Sequence, residues 1–207
     1  IWTTEGNADT QGSITMHHLL THTSGLSYGF IPDSPVDALY REAAKEPAQN
    51  LNDHIEKLAQ LPLLFEPGER WHYSVASDVL GAVAEKISGQ SFDEFLRQRL
   101  FDPLGMEDTY FSVPKQEVER LADNHRWDPE QNKLADIAFN PSINPSYTDV
   151  SLFLGGQGLV STIGDYMKFA QMLLNGGSFG EKRILSPKTV EFITQNHLGG
   201  ISQVAGS

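Results

Sequence analysis

Apolar residues recur at helical spacing along much of the chain, and the most regular case follows Tyr73. The segment YSVASDVLGAVAEKISGQ places its apolar side chains three or four residues apart, so they share one face of a helix. The members of this stripe are Val75, Val79, Ala82, Val83 and Ile87. Gly89 stands where a left-handed residue commonly ends a helix. The pattern therefore predicts an amphipathic helix that ends at Gly89 and is buried along one side.

Capping residues predict two further helices near the beginning of the chain. The hydroxyl of Ser13 can cap a helix that runs to about His22, and Gly25 is placed to stop that helix in a left-handed conformation. Ser34 followed by Pro35 is typical of a helix start, because the fixed backbone angle of proline suits the first helical position.

Later segments carry the same kind of signal. Asn52 is expected to cap a short helix that stops before Pro62. Ser91 and Glu94 have the spacing of a capping box, in which two side chains satisfy backbone N–H groups of the first turn. Two more helices are predicted in STIGDYMKFAQMLLNGG and LSPKTVEFITQN.

Signals for strands are few. Residues 121–139 alternate loosely around DPEQN, which predicts a β-hairpin. Pro67 and Gly68 are the residue types found at the centre of a type II turn. The chain is therefore predicted to be mostly helical, which is typical of the helical half of a fold whose sheet lies in another segment.

Composition narrows the classes of function. The chain has 207 residues, enough for one sizeable domain, with 27 acidic and 15 basic residues and a net charge of −12. It contains no Lys/Arg cluster longer than a pair, which argues against nucleic acid and anionic membrane surfaces as partners. No apolar run approaches the ~18 residues of a membrane span. Without cysteine, the chain can form neither disulfides nor thiolate sites.

Two histidines at a spacing of four raise the possibility of a metal site. In MHHLLTHTSGL, His18 and His22 have the spacing of a zinc-protease helix. That motif needs a glutamate after the first histidine to activate the metal-bound water, and Leu19 stands there instead. We therefore predict packing or surface roles for both histidines, with no metal and no cofactor.

Serine nucleophiles give no clear signal from spacing. Ser112-Val113-Pro114-Lys115 is the one Ser-x-x-Lys sequence in the chain, and Pro114 would disrupt the helical turn that brings such a lysine beside its serine. We interpret it as a loop. The GGQG sequence at 155–158 indicates a flexible or closely packed backbone turn.

Tyr73, immediately before the most regular helix, leaves two interpretations open. A half-buried aromatic residue with a hydrogen-bonded hydroxyl is the more common role. The alternative is a catalytic base, which at neutral pH requires a nearby cation that favours the phenolate.

The order of four sequence blocks gives more information than any single motif. The blocks are ITMHHLLTHTSGL, FEPGERWHYSVASDVLGAVAEKISGQSF, LFDPLGMEDTYF and GGQGLVSTIGDYMKFAQMLLNGG. Together, from about residue 13 to residue 197, they resemble the serine β-lactamase-related family, and within it the carboxylesterases and transesterases that are similar to class C β-lactamases. The resemblance implies an α+β fold of the β-lactamase/transpeptidase type, in which a helical region packs on an antiparallel sheet.

The resemblance also implies a mechanism. In this family a serine and a lysine from one helix act with a tyrosine from a second segment, and an acyl-enzyme forms and is released by water or an alcohol. Tyr73 matches the tyrosine. Tyr28 and Phe30 are expected to line the substrate entrance. The implied partner is a small-molecule ester.

Two departures from the family pattern bear on function. Lactamases and peptidases have an Asn two residues after the tyrosine, whereas Val75 stands here, which favours esters over β-lactams or peptides. The Ser-x-x-Lys helix is expected before residue 13 and the later strand motif beyond residue 197, so residues 1–207 are expected to form one incomplete domain. The alternatives are a β-lactamase or D-amino-acid peptidase, and a catalytically inactive scaffold.

Overall fold

The structure, a computed structural model, describes residues 12–122, 125–136 and 147–201. Within these ranges the fold is built mainly from helices joined by turns, with two small antiparallel hairpins. The helices are α1 (Met16–Leu20), α2 (Pro35–Ala43), α3 (Leu51–Leu58), α4 (Ala76–Ser88), α5 (Phe92–Leu96), α6 (Asp102–Leu104), α7 (Ile163–Leu174) and α8 (Pro187–Ile193). A π-helical turn (Arg97–Phe101) joins α5 to α6, and a 3-10 turn spans Lys115–Arg120. None of the helices in these ranges is long and apolar enough to cross a membrane.

The strands form two separate hairpins. The first pairs β1 (His125–Asp128) with β2 (Lys133–Asp136), and the second pairs β3 (Ser178–Phe179) with β4 (Lys182–Arg183). The first hairpin confirms the prediction around DPEQN. Residues 123, 124 and 137–139 of the predicted segment lie outside the described residues.

The turn around Pro67 and Gly68 also agrees with the sequence prediction. The N–H of Glu69 donates to the carbonyl of Glu66 at 3.0 Å, and Gly68 between them has a φ of +92°. A type II turn needs a positive φ at its third residue, which glycine adopts without a Cβ clash. The predicted turn at Pro67 and Gly68 is therefore confirmed.

Three predicted caps differ from those observed. The cap of α1 is Thr15, not Ser13: its hydroxyl accepts from the His18 N–H at 3.2 Å. Asn50, not Asn52, caps α3 by accepting from Asp53. Ser91 precedes α5 but makes no side-chain cap bond. For α1 and α3 the cap is the residue before the observed helix start, and at α5 the Glu85 carboxylate accepts from the Phe92 N–H instead.

Within the described ranges, many of the buried apolar side chains form two clusters. The first cluster lies between α1, α2, α3 and the beginning of α4, and the second lies between α6, the preceding π-helical turn and α7. The first contains Leu19, Leu26, Val36, Tyr40, Leu58, Leu63, Leu64, Phe65, Val75 and Ala76. The second contains Phe101, Leu104, Met106 and Met172.

Helix α4 is buried unevenly along its length. Its fully buried residues, Ala76, Asp78 and Gly81, all lie in the first two turns. Ile87, which the sequence pattern placed on the buried stripe, is 81% exposed. The stripe is therefore correct at its beginning and wrong at its end, because α5 contacts the last turn through Glu85, which accepts from the Phe92 N–H at 2.7 Å, and leaves Ile87 in solvent.

Helix α7 is attached to the rest of the molecule through a buried carboxylate. Asp165 accepts hydrogen bonds from the Asp108 N–H at 2.8 Å and from the Thr109 hydroxyl at 3.1 Å. Its other oxygen accepts from the Lys168 ammonium at 2.9 Å. These charge-assisted bonds tie the start of α7 to the loop that follows α6.

Candidate active site

Tyr73 lies on an extended segment directly before α4. The segment is bonded to the chain after α1: the His72 N–H donates to the His22 carbonyl at 2.9 Å, and the Val75 N–H to the Ser27 carbonyl at 3.4 Å. Val75 is buried in the first core cluster, whereas Tyr73 is 47% exposed. Ser74, directly after Tyr73, is also buried at 1% exposure, so the backbone next to Tyr73 is held in the core while the Tyr73 side chain stays open to solvent.

Four rings meet at this surface, and we refer to His22, Tyr28, Phe30 and Tyr73 as the aromatic cluster. The Tyr73 ring centroid lies 5.0 Å from that of His22, 5.4 Å from Tyr28 and 6.5 Å from Phe30. Tyr28 and Phe30 are stacked at 5.1 Å. The structure thus brings together all three residues that the sequence analysis selected.

The loop that carries Tyr28 and Phe30 is held by α2. The Arg41 guanidinium donates to the carbonyl oxygens of Gly29 at 2.8 Å and Ile31 at 3.0 Å. The buried carboxylate of Asp37 accepts from the Ile31 N–H at 2.6 Å. Phe30 is therefore exposed on a backbone that is fixed on both sides, which limits the entropy lost when a ligand covers its ring.

The histidines do not share a helical face. Helix α1 ends at Leu20 rather than continuing to His22, and His22 itself has a left-handed φ of +54°. The Nδ1 atom of His18 instead accepts from the N–H of Thr15. Burial, with a smaller contribution from His72, lowers the pKa of His22 and so favours its neutral form. In the described ranges no group of three or more His, Asp or Glu residues could hold a metal ion.

A buried acid that the sequence analysis did not select lies behind the aromatic cluster. Asp78, in the first turn of α4, is 1% exposed and accepts from the Gly156 N–H at 2.8 Å. It is also hydrogen-bonded to the Tyr28 hydroxyl. Burial raises the pKa of Asp78 to about 6, although both hydrogen bonds act in the opposite direction. The available signal was an acid on the same helix face as Val75 and Val79, inside an otherwise apolar stripe.

His54 faces the same carboxylate from α3. Its Nε2 atom lies 3.9 Å from Asp78 Oδ2 and is buried without a hydrogen-bond partner among the described residues. Burial is the main cause that lowers the pKa of His54, so the neutral imidazole is favoured. Asp78 is therefore contacted from α3, from the loop after α1 and from the Gly155-Gly156 turn.

The GGQG turn is a site of close backbone contact. A Cβ atom on Gly155 would lie 2.0 Å from the carbonyl oxygen of Ser77, and one on Gly156 would lie 2.5 Å from the Tyr28 hydroxyl. Neither position has room for a larger residue. Of the two interpretations of this sequence, the close packing of its backbone is the one observed.

Ser112 and Lys115 are not placed as a catalytic pair on a helix. The Ser112 hydroxyl accepts from the N–H of Asp149 at 2.8 Å and from that of Val150 at 3.3 Å. Pro114 precedes the short 3-10 turn that begins at Lys115. The interpretation of this sequence as a loop is confirmed.

Comparison with known proteins identifies related enzymes. A profile of the family described as Beta-lactamase matches residues 2–202. Lovastatin esterase of Penicillium rubens is 33% identical over 188 residues, which cover 90% of this chain and 45% of that protein. Monacolin J acid methylbutanoyltransferase of Aspergillus terreus is 32% identical over 197 residues, which cover 92% of this chain and 45% of that protein. Esterase EstB of Burkholderia gladioli is 38% identical over 129 residues, which cover 59% of this chain and 32% of that protein. The chain thus spans about half the length, or less, of these curated relatives.

Solved structures give the same result for the fold. EstCE1, a hydrolase with promiscuous acyltransferase activity, superposes with a TM-score of 0.72 at 26% identity, covering 95% of this chain and 53% of that one. A penicillin-binding protein homologue from Pyrococcus abyssi superposes with a TM-score of 0.64 at 26% identity, covering 89% and 39%. The predicted fold class is confirmed.

The close contact of Gly155 gives a prediction about stability. We expect Gly155→Ala to lower the free energy of unfolding, measured by urea denaturation, by at least about 1–3 kcal/mol, because the new methyl group would overlap the Ser77 carbonyl. Gly164→Ala in the first turn of α7 is the control, since the nearest atom to its Cβ, the Thr162 hydroxyl oxygen, would lie 3.8 Å away. The control is expected to unfold at the same or a higher urea concentration than wild type. Equal losses in both variants would contradict the prediction.

Proposed function

Because the chain belongs to the Beta-lactamase family, we propose that the protein containing it is a serine hydrolase that cleaves carboxylic esters through an acyl-enzyme. The observation that carries this proposal is the position of Tyr73, whose side chain is open to solvent on a backbone fixed by buried neighbours. The named esterases and acyltransferases among its relatives support an ester as the substrate class.

The proposed role of Tyr73 is that of general base. As a serine Oγ forms a bond to the ester carbonyl carbon, the serine proton passes to the phenolate oxygen of Tyr73. The ester C–O bond then breaks, and the leaving alkoxide takes that proton. Water or a second alcohol repeats the exchange at the acyl-enzyme. The serine and its lysine, which would keep Tyr73 ionised, are expected outside this chain.

The surroundings of Tyr73 favour esters over β-lactams. At the position where lactamases carry an asparagine for the substrate amide, Val75 is buried in the first core cluster, whereas Tyr73 is exposed. A position of this kind supplies neither a donor nor an acceptor to a bound amide. The proposal of a β-lactamase or peptidase is therefore the weaker alternative.

We also propose that this helical region packs on a sheet supplied by other segments of the protein. Helix α7 buries Met172 completely against the second core cluster. Its opposite side exposes large apolar side chains, namely Ile163, Tyr166, Met167 and Leu174. Exposed apolar faces of this size commonly mark a contact surface. Relatives about twice as long as the chain have additional polypeptide to cover it.

The serine mechanism is tested by the intact mass of the full-length protein before and after exposure to a fluorophosphonate. We expect one covalent adduct, with loss of turnover of a short-chain aryl ester in proportion to labelling. We also expect much faster turnover of that ester than of a chromogenic cephalosporin. Ester turnover that persists in fully labelled protein, or no adduct in protein that turns over the ester, would exclude an essential serine nucleophile.

The role of Tyr73 is tested by removing its hydroxyl. Tyr73→Phe is expected to lower kcat for the aryl ester by roughly 10²–10⁴, the usual contribution of general base catalysis. Because the side chain is half exposed, thermal unfolding should be unchanged. Tyr166→Phe is the matched control and should retain full turnover, because it removes the hydroxyl of a tyrosine on α7 that is not part of the aromatic cluster and keeps the apolar ring. Near-normal kcat in Tyr73→Phe would refute the assignment.

The aromatic side chains of the loop give a prediction about selectivity. We expect the double variant Tyr28→Ala, Phe30→Ala to change the ratio of kcat/KM for a long-chain and a short-chain aryl ester by at least about tenfold, since apolar wall contacts discriminate by 1–3 kcal/mol. Phe192→Ala, which removes an exposed ring on α8, should leave the ratio unchanged. An unchanged ratio in the double variant would show that these rings do not contact the acyl chain.

A further inference from the structure

A buried carboxylate without a cationic side chain beside it is unusual in a stable protein. Among the described residues, the ionisable side chains that face Asp78 are the tyrosine hydroxyl of Tyr28 and the neutral-favouring imidazole of His54. His54 in turn is influenced by Asp53 and Lys57 on its own helix. Transfer of an ionised carboxylate out of water is costly when no charge pairs with it.

The pH dependence of stability has a definite sign here. Burial raises the pKa of Asp78 from 3.8 to about 6, so the folded state binds this proton more tightly than the unfolded state. The contribution of Asp78 to the free energy of unfolding therefore falls as the pH rises from about 4 to 6. At neutral pH Asp78 is ionised, and the fold is then less stable than it would be with Asp78 protonated. A buried acid at this position therefore argues for a role other than stabilising the fold.

The geometry around Asp78 shows what its carboxylate holds. One oxygen accepts from the Gly156 N–H at 2.8 Å, and the carboxylate is hydrogen-bonded to the Tyr28 hydroxyl. The Tyr28 ring contacts both Phe30, at 5.1 Å, and Tyr73, at 5.4 Å, and these two rings also contact each other at 6.5 Å. A Cβ on Gly156 would lie 2.5 Å from the Tyr28 hydroxyl, so this glycine leaves room for it. The hydroxyl end of Tyr28 is thus fixed by Asp78, and its ring face supports Tyr73.

We propose that Asp78 is a positioning residue, which acts on Tyr73 through the Tyr28 ring by holding the Tyr28 hydroxyl and the Gly156 amide. The inference rests on the proposed function only in assigning the base to Tyr73. A base works when it is within hydrogen-bond reach of the proton that it takes, and small displacements of a catalytic group lower the rate strongly. Loss of the Asp78 contact allows Tyr28 to tilt and removes the surface on which Tyr73 packs.

The first test is a double-mutant cycle in the full-length protein, comparing Asp78→Ala, Tyr28→Phe and the double variant. Each single variant removes the same hydrogen bond. We expect each to lower kcat for the aryl ester at least about tenfold with a smaller change in KM, and the double variant to lower it no further than the worse single variant. Losses that multiply in the double variant, or full kcat in both single variants, would overturn the proposal.

A conservative variant separates positioning from general destabilisation. Asp78→Asn keeps an oxygen that can accept from Gly156 but carries no charge and does not titrate. Above pH 7 it should recover most of the kcat lost in Asp78→Ala. A protonated Asp78 keeps the same kind of acceptor oxygen, so its titration near pH 6 should not by itself lower the wild-type kcat. A kcat of Asp78→Asn as low as that of Asp78→Ala would contradict positioning through these hydrogen bonds.

The second readout does not depend on turnover. Tyrosine labelled with ¹³C at Cζ reports the ionisation of each ring by NMR, and Tyr28→Phe assigns the signal of Tyr28. Burial, together with the nearby Asp78 carboxylate, raises the pKa of Tyr28 well above its ordinary value. In Asp78→Asn its signal should titrate at lower pH than in wild type. An unchanged Tyr28 signal would overturn the contact itself. A shifted signal together with full turnover in Tyr73→Phe would support the contact and refute the proposed base.

Discussion

The burial of the first turn of α4 is the constraint on which the candidate site depends. Three segments that are distant in sequence converge there: the chain after α1 bonds to the residues before the helix, α3 faces it from one side, and Gly155 contacts the Ser77 carbonyl. Ser74 and Ala76 are almost completely buried by this packing. With its neighbours fixed in the core, the Tyr73 side chain is left on the open side of the backbone. The orientation of the proposed base is thus a result of core packing rather than of contacts made by its hydroxyl.

The parts of the fold that the sequence predicted are those whose stabilising contacts are local. Ser34 accepts from the Asp37 N–H three residues on, as its position before Pro35 indicated. The turn at Pro67 and Gly68 closes through a bond between Glu66 and Glu69, three residues apart. The hairpin around DPEQN is similar, since an aspartate oxygen accepts from two N–H groups within its own turn. Periodicity and capping rules describe contacts of this kind, so a single sequence is sufficient to find them.

The parts that the sequence did not predict depend on contacts between distant residues. Helix α1 ends early, and His22 adopts a left-handed backbone where its carbonyl accepts from the His72 N–H, fifty residues later. Ile87 continues the apolar stripe of α4, but α5 contacts the last turn through Glu85 and not through the stripe, so Ile87 remains exposed. Asp78 was overlooked because a helical pattern treats a single acid as an interruption. Its partners Tyr28 and Gly156 lie on other segments, and a pattern along one helix contains no information about them.

Tyr73, Tyr28 and Phe30 were selected through a family resemblance, and the ring contacts among them became visible only in three dimensions.

Under the proposed ester function, the chemistry of the aromatic cluster limits the selectivity that the site can have. Aromatic rings surround Tyr73. Two residues further along the chain, where lactamases have an asparagine that hydrogen-bonds the substrate amide, the buried Val75 stands. Ring faces bind an acyl chain by removing apolar area from water. The binding free energy then depends on how closely the chain fits the rings and not on a particular hydrogen bond. Discrimination of this kind amounts to about 1–3 kcal/mol per methylene group, whereas a site that pairs a polar group rejects the wrong substrate far more strongly. A base held rigidly by Asp78 and Tyr28 beside a permissive apolar wall therefore favours graded preference among acyl chains.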